Sequence, residues 1–289
     1  MGNNRKRKLI IEDGVTEIKT KEYSDYAKLE EVWMPDSVVN IGNEAFSRCR
    51  ELKKIHFSAN LKRIGAKAFY GCGLEEVVIP DGVELISNEA FFLCTELKKI
   101  YIPDSVSGIN SCTFYNCEKL KEVRLPHYTR ARTIMGKSAF YCCKSLERID
   151  MPDTFYYIDD GAFDACHSLR EINLSRIEVI GKNAFSGCES LRKVVLDDIR
   201  IIEEFAFGHC KALEEVIIKN PDCEINKYAF SFTKFESKDV INVSKFTTSQ
   251  KPYIKPYDAS SKYDDYHWSP QDLAEYYGYD NVEDYYDNM

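Results

Sequence analysis

Residues 41–57 read Ile41-Gly42-Asn43-Glu44-Ala45-Phe46-Ser47-Arg48-Cys49-Arg50-Glu51-Leu52-Lys53-Lys54-Ile55-His56-Phe57, and the same phrase returns along most of the chain. Its aromatic recurs at Tyr23, Phe46, Phe69, Phe91, Phe114, Phe140, Phe163, Phe185, Phe207 and Phe230, at intervals of 22 or 23 residues with a single interval of 26. Five residues before the aromatic stands Ile, from Ile18 to Ile225, with Met135 as the one substitute. Directly before it stands Ala in eight of ten units, with Glu22 and Thr113 as exceptions. Six residues after it there is usually Leu. A fixed period of this length is the signature of stacked repeats, in which like positions of successive units fall into columns.

Outward from that core phrase, each unit carries two apolar residues separated by one variable residue, as in Ile55-His56-Phe57, Ile100-Tyr101-Ile102 and Val194-Val195-Leu196. Such alternation predicts a short strand. Pro35, Pro80, Pro103, Pro126 and Pro152 close it where a missing backbone donor does least harm. From the Ile to the Cys, as in Ile41 to Cys49, the apolar spacing is nearer a helical turn than a strand and predicts a short helix or turn. A unit of this size cannot bury its own apolar face. The reading is therefore an α/β solenoid of about ten repeats, a right-handed superhelix with one long parallel β-sheet.

Written out, the unit I-G-x-x-A-F-x-x-C-x-x-L-x-x-I-x-I-P resembles the BspA-like leucine-rich repeats of many bacteria and some parasitic protists, over residues 9–236. That resemblance implies a leucine-rich-repeat solenoid whose relatives mostly bind proteins, often as surface adhesins.

Residues 1–8 form a basic lead, 9–236 the solenoid, 237–257 a C-terminal cap or linker, and 258–289 an acidic, Tyr-rich tail. The chain has 289 residues, with 39 Lys and Arg against 47 Asp and Glu, a net charge of -8. Residues 258–289 hold nine acids and one Lys, so the rest of the chain sums to zero. Such a balance argues against nucleic acid or an anionic membrane as partner. Within the tail, Ser269-Pro270-Gln271-Asp272 begins a short helix over 270–277 that Gly278 ends, and Val240 to Val243 adds a last strand. Three uses of the tail stay open: a cap on the stack, an internal ligand for the basic insertion, and an exposed recruiting segment.

Eight of the eleven cysteines (Cys49, Cys72, Cys94, Cys117, Cys143, Cys166, Cys188, Cys210) sit three residues after the aromatic and are read as small buried packing residues; no C-x-x-C is present. Cys112, Cys142 and Cys223 lie off that column and receive no role. An odd count in so long a chain, with no visible signal peptide or membrane span, predicts a cytoplasmic protein, with surface display or secretion as the alternative. The residue before each strand alternates in sign, Glu31, Lys54, Glu76, Lys99, Glu122, Arg148, Glu171, Lys193, Glu215, and is read as a device for solubility and register.

No phosphate loop, nucleophile elbow, metal-spaced histidines or dinucleotide turn is present, so the expectation is a non-enzymatic scaffold without cofactor or metal. A protein partner is expected on the variable strand column, Trp33, His56, Val78, Tyr101, Arg124, Asp150, Asn173, Val195 and Ile217, because aromatics with Arg are common interface anchors. The single long unit carries its extra residues in Pro126 to Thr133, where Arg130 and Arg132 join Arg124 as candidates. A monomer is favoured. The alternative is an assembly protein that self-associates through its tail or terminal strand, or an adhesin if exported.

Overall fold

The computed structural model describes residues 7–127 and 132–234. Arg130, the segment Val240 to Val243, the helix expected at 270–277 and the acidic tail lie outside the described residues. Within them the repeat period becomes about nine turns of parallel strands, with each turn stacked on the next in register.

The first strand of each repeat turns an apolar residue inward, buried as Leu9, Val32, Val77 and Ile100 are, or partly buried as Ile55 and Val123 are. Ten such strands run from Lys8–Ile10 through Glu31–Trp33 and Lys54–His56 to Lys193–Leu196 and Glu215–Ile218. Paired residues are equivalent ones: Glu31 opposes Lys54, Val32 opposes Ile55 and Trp33 opposes His56. The predicted strands and their register are therefore present. The single long sheet is corrected in two respects. First, this sheet is interrupted into four groups of three, three, two and two strands. One interruption falls at Cys72-Gly73-Leu74, where a unit is one residue short, and another at the long unit after Arg124.

Second, there is another sheet. The Ile column that the sequence placed at the start of a helix or turn ends short strands of its own, such as Asn40–Ile41, Arg63–Ile64, Val179–Ile180 and Ile201–Ile202. They pair in parallel along the stack, in groups of four and five strands, and an isolated bridge from Ile109 to Met135 carries the second group one turn further toward the first. Its inward residues Ile18, Ile41, Ile64, Ile86, Met135, Ile158 and Ile180 are buried.

The α/β class is also corrected: the described residues contain no helix. What replaces it is an arch from the Ile to the Leu of each unit, and its backbone explains why a helix is excluded. Residues two before and two after the aromatic have positive φ, as at Glu44 (55°) and Arg48 (61°) around Phe46, or Glu89 (59°) and Leu93 (58°) around Phe91. A right-handed helix cannot pass through left-handed residues. The N–H groups of Glu44, Phe46 and Arg48 instead donate to the carbonyls of Ala66, Ala68 and Tyr70 in the next turn, at 2.8, 2.8 and 2.6 Å. The same three bonds recur at Glu89, Phe91 and Leu93. The arch is thus a third ladder between turns, and it satisfies donors that a helix would have used internally.

The core is the columns themselves. Successive aromatic rings lie nearly parallel, with centroids 5.3 Å apart for Phe140 and Phe163 and 5.2 Å apart for Phe163 and Phe185. Ala fills the position beside them in eight units and is fully buried in each, as a close-packed core asks of a small side chain. Where Thr113 stands instead, its hydroxyl donates to the Asn110 carbonyl at 2.7 Å, so the extra polar atom is satisfied in the core.

Candidate functional site

Alternation along the first-sheet strands sends every second side chain away from the core, which places the expected contact residues in one outward column. Trp33, Val78, Tyr101, Asp150 and Asn173 are exposed; His56, Arg124, Val195 and Ile217 are half-buried. The column begins one turn earlier than the sequence suggested, because Ile10 opposes Trp33 and is 68% exposed. The first turn lacks the Ile-Ala-Phe phrase that marks the others, so its strand was legible only from Leu9 and Ile11 alternating after Lys8, the first member of the charge series.

Neighbouring members of the column touch. The Trp33 indole and the His56 ring are stacked with centroids 3.5 Å apart, Lys8 Nζ lies 4.9 Å from the indole centroid, and His56 Nε2 is 3.0 Å from Glu31 Oε1. Glu31, bonded to His56 and beside the Lys8 ammonium, is held below the usual carboxylate range. These contacts fix the Trp33 ring as a rigid, partly exposed plate. Further along the column, the Arg124 guanidinium lies 4.6 Å above the Tyr101 ring of the preceding turn and forms an ion pair with Asp104 at 2.8 Å. Asp104 also accepts the His127 N–H at 2.8 Å, which ties the start of the long unit to the preceding turn.

The structure does not bring Arg132 to this column. It stands directly before the second-sheet strand Thr133–Met135, covers the Tyr156 ring at 4.1 Å and pairs with Glu178 at 2.6 Å. The second sheet has an apolar middle column of its own, including Leu85, Ile134, Val179 and Ile201, which sequence reasoning missed because it assigned no strand there; none of these is exposed. The large apolar side chains exposed among the described residues are Ile10, Trp33, Val78 and Tyr101 on the first sheet, and Tyr228 and Phe232 in the last described turn.

From Val78 to Val195 the outward face of the first sheet forms the floor of an open groove of about 1600 Å³. The charge series is in register along it, with Glu76 opposite Lys99, Lys99 opposite Glu122 and Arg148 opposite Glu171. Lys99 and Glu122 are 3.0 Å apart and Lys193 and Glu215 2.9 Å apart, both exposed, so they set register more than stability. No three His, Cys, Asp or Glu side chains converge on a metal-binding arrangement among the described residues.

The profile of the BspA type leucine rich repeat region matches residues 16–131 and 133–251, in six copies. No curated protein matches the chain. Among solved structures, it is similar to a leucine-rich repeat protein from Bacteroides ovatus, with 28% identity and a TM-score of 0.57, over 75% of this chain and 62% of that one. It is also similar to a leucine rich cell surface protein from Faecalibacterium prausnitzii, with 23% identity and a TM-score of 0.44, over 74% of this chain and 88% of that one. The chain thus spans less than two thirds of the B. ovatus protein. With the repeat profile covering most of its length and its columns stacked in register, the chain belongs to the BspA-type leucine-rich repeat family.

Proposed function

We propose that this protein is a non-enzymatic recognition scaffold that holds a protein partner on the outward face of its first sheet. One observation carries the reading. Of the six large apolar side chains exposed among the described residues, four, Ile10, Trp33, Val78 and Tyr101, belong to a single register column. Scattered exposed apolar residues are ordinary on a protein surface, whereas aligned ones, with a Trp held flat by its neighbours and an Arg stacked on a Tyr, have the make-up of an interface centre. Because the backbone beneath them is tied to the turns on either side, the contact residues are largely ordered before a partner arrives, which lowers the entropy cost of binding.

The test is capture from native extract with the intact chain and with a Trp33→Ala, Tyr101→Ala, Arg124→Glu variant, compared by mass spectrometry. A protein retained by the natural chain and lost from the variant supports the reading. Retention indifferent to the three substitutions would remove the function from this face.

A further inference from the structure

The Lys and Arg side chains of this stack are, as a rule, engaged between turns: Lys28 reaches Glu51, Lys119 reaches Glu96 and Lys211 reaches Glu189, each at 2.7 Å. Four cations of the groove depart from the rule. Lys121, Arg148, Arg170 and Arg192 are exposed, line the groove and have no ion pair among the described residues. They come from four consecutive turns and line one side of the groove: Lys121, Arg170 and Arg192 stand directly before the strands Glu122–Arg124, Glu171–Ile172 and Lys193–Leu196, and Arg148 opens the strand Arg148–Ile149, where Glu147 holds the place before the strand. The carboxylates in the same part of the groove neutralise them only in part. Glu122 is taken by Lys99 and Glu189 by Lys211, which leaves Asp150 and Glu171 against four cations. Val78 and Tyr101, both exposed, stand on the turns directly before these cations.

Resting on the function proposed above, we infer that the partner presents an acidic, extended segment to this groove, its carboxylates against Lys121, Arg148, Arg170 and Arg192 and an apolar side chain against Val78 and Tyr101. The dimensions agree. Parallel strands are about 4.8 Å apart, so the turns from Val78 to Val195 span roughly 24 Å, the length of about seven extended residues. The four cations span about 14 Å along the stack, and same-side carboxylates of an extended segment are about 6.8 Å apart, so two or three carboxylates meet the four cations, each within reach of more than one of these long side chains. Guanidinium groups suit this task, since three of the four are Arg and each receives a carboxylate through two parallel bonds.

Fluorescence anisotropy on the full chain tests this with three probes: a dodecapeptide of alternating Glu and Ser headed by Phe-Leu, its Lys-for-Glu counterpart, and heparin. The Glu peptide is expected to bind and the Lys peptide not. Affinity for the Glu peptide should fall about tenfold in Arg148→Glu/Arg170→Glu/Arg192→Glu, with a smaller loss in the Arg→Gln triple variant, and should weaken with added NaCl. Both variants are to be checked for an unchanged melting transition. Equal binding of the two peptides, no binding of either, unchanged affinity in both variants, or preference of the same cations for heparin would each overturn the acidic-segment assignment. The two proposals fail separately. If a captured protein is lost on substituting Trp33, Tyr101 and Arg124 but kept by both Arg variants, the face stands and the acidic assignment falls; if it is kept by all of them, both fall.

Discussion

The cysteine three residues after each aromatic shows how one residue type serves the stack. In all eight column positions the thiol is buried and its Sγ lies 3.1 to 3.3 Å from the carbonyl oxygen of the aromatic one turn earlier, as Cys166 does with Phe140. The Phe140 carbonyl therefore accepts from both the Cys143 N–H, at 3.1 Å, and the Cys166 S–H. Sequence alone identified a small apolar residue, since the acceptor belongs to another turn; the weak S–H donor explains why Cys rather than Ala or Val fills the slot. Burial pushes the Cys94 and Cys210 thiols up to about 12, and does the same for Cys112 and Cys223 off the column, while Cys142 is pushed up to about 11. Thiolate chemistry is thereby suppressed. A disulfide-exchange reagent at pH 8 is expected to leave the ten buried thiols largely unmodified, with Cys112 half-buried, and to titrate all eleven once the chain is unfolded; rapid stoichiometric reaction of more than one native thiol would contradict their burial. Asp164 offers a pH test. Burial pushes its carboxyl up to about 7, partly offset by the Ala165 N–H and the Ser186 hydroxyl. Between its ordinary value of 3.8 and 7 the folded chain holds a proton that the unfolded chain releases. This group's stabilising contribution is therefore complete below that range and is lost as pH rises through it, by up to about 1.4 kcal/mol per pH unit. Urea unfolding of Asp164→Asn should lack that part of the slope and gain on the natural chain from pH 5 to pH 8. Parallel profiles would show that the carboxyl is not desolvated.

At the scale of the element, the strands of the first sheet were legible because alternation and the closing prolines are both written in side chains. The arch was not. Ile, Ala, Phe and Cys at offsets of 0, 4, 5 and 8 imitate a helical face, and the left-handed residues that forbid a helix carry no compositional mark: Lys67, Glu89, Cys112, Ser138 and Phe205 occupy positions that in other turns hold Gly161 or Asn183. Left-handed backbone costs a non-glycine residue roughly 1 to 2 kcal/mol, offset here by the third ladder of hydrogen bonds. Gly187, at φ 68°, is one of the few positions that avoids the cost. Gly187→Ala should lower the unfolding free energy by about 1 kcal/mol, while Ala165→Gly, at φ 57°, should be neutral or stabilising, the reverse of the usual order. If both substitutions behaved like ordinary Gly and Ala exchanges in denaturant melts, the arch geometry would be wrong. The ring column makes a larger claim. Phe140 is fully buried between Phe114 and Phe163, with centroids at 5.1 and 5.3 Å, so Phe140→Ala should cost about 3 to 5 kcal/mol. A loss below about 1 kcal/mol would contradict the stacked core.

For the solenoid as a whole, stacking converts a pattern that is weak within any one turn into a continuous surface. One outward residue on a strand says little, yet ten stacked turns make a face whose exposed large apolar members lie in its first five turns and whose unengaged groove-lining cations lie from the turn of Lys121 to that of Arg192. The column itself was legible in the sequence, because it follows from alternation. Which of its members are engaged was not, since the ion pair of Arg124 with Asp104, the stack of Trp33 on His56 and the placement of Arg132 on the second sheet all depend on contacts between turns. Hydroxyl-radical footprinting of the chain, alone and with the captured partner, reads these side chains directly. The account predicts that labelling of Trp33, Val78 and Tyr101 falls sharply in the complex while that of Tyr228 and Phe232, equally exposed at the last described turn, is unchanged. Undiminished labelling of Trp33 and Tyr101 in a saturated complex would contradict it.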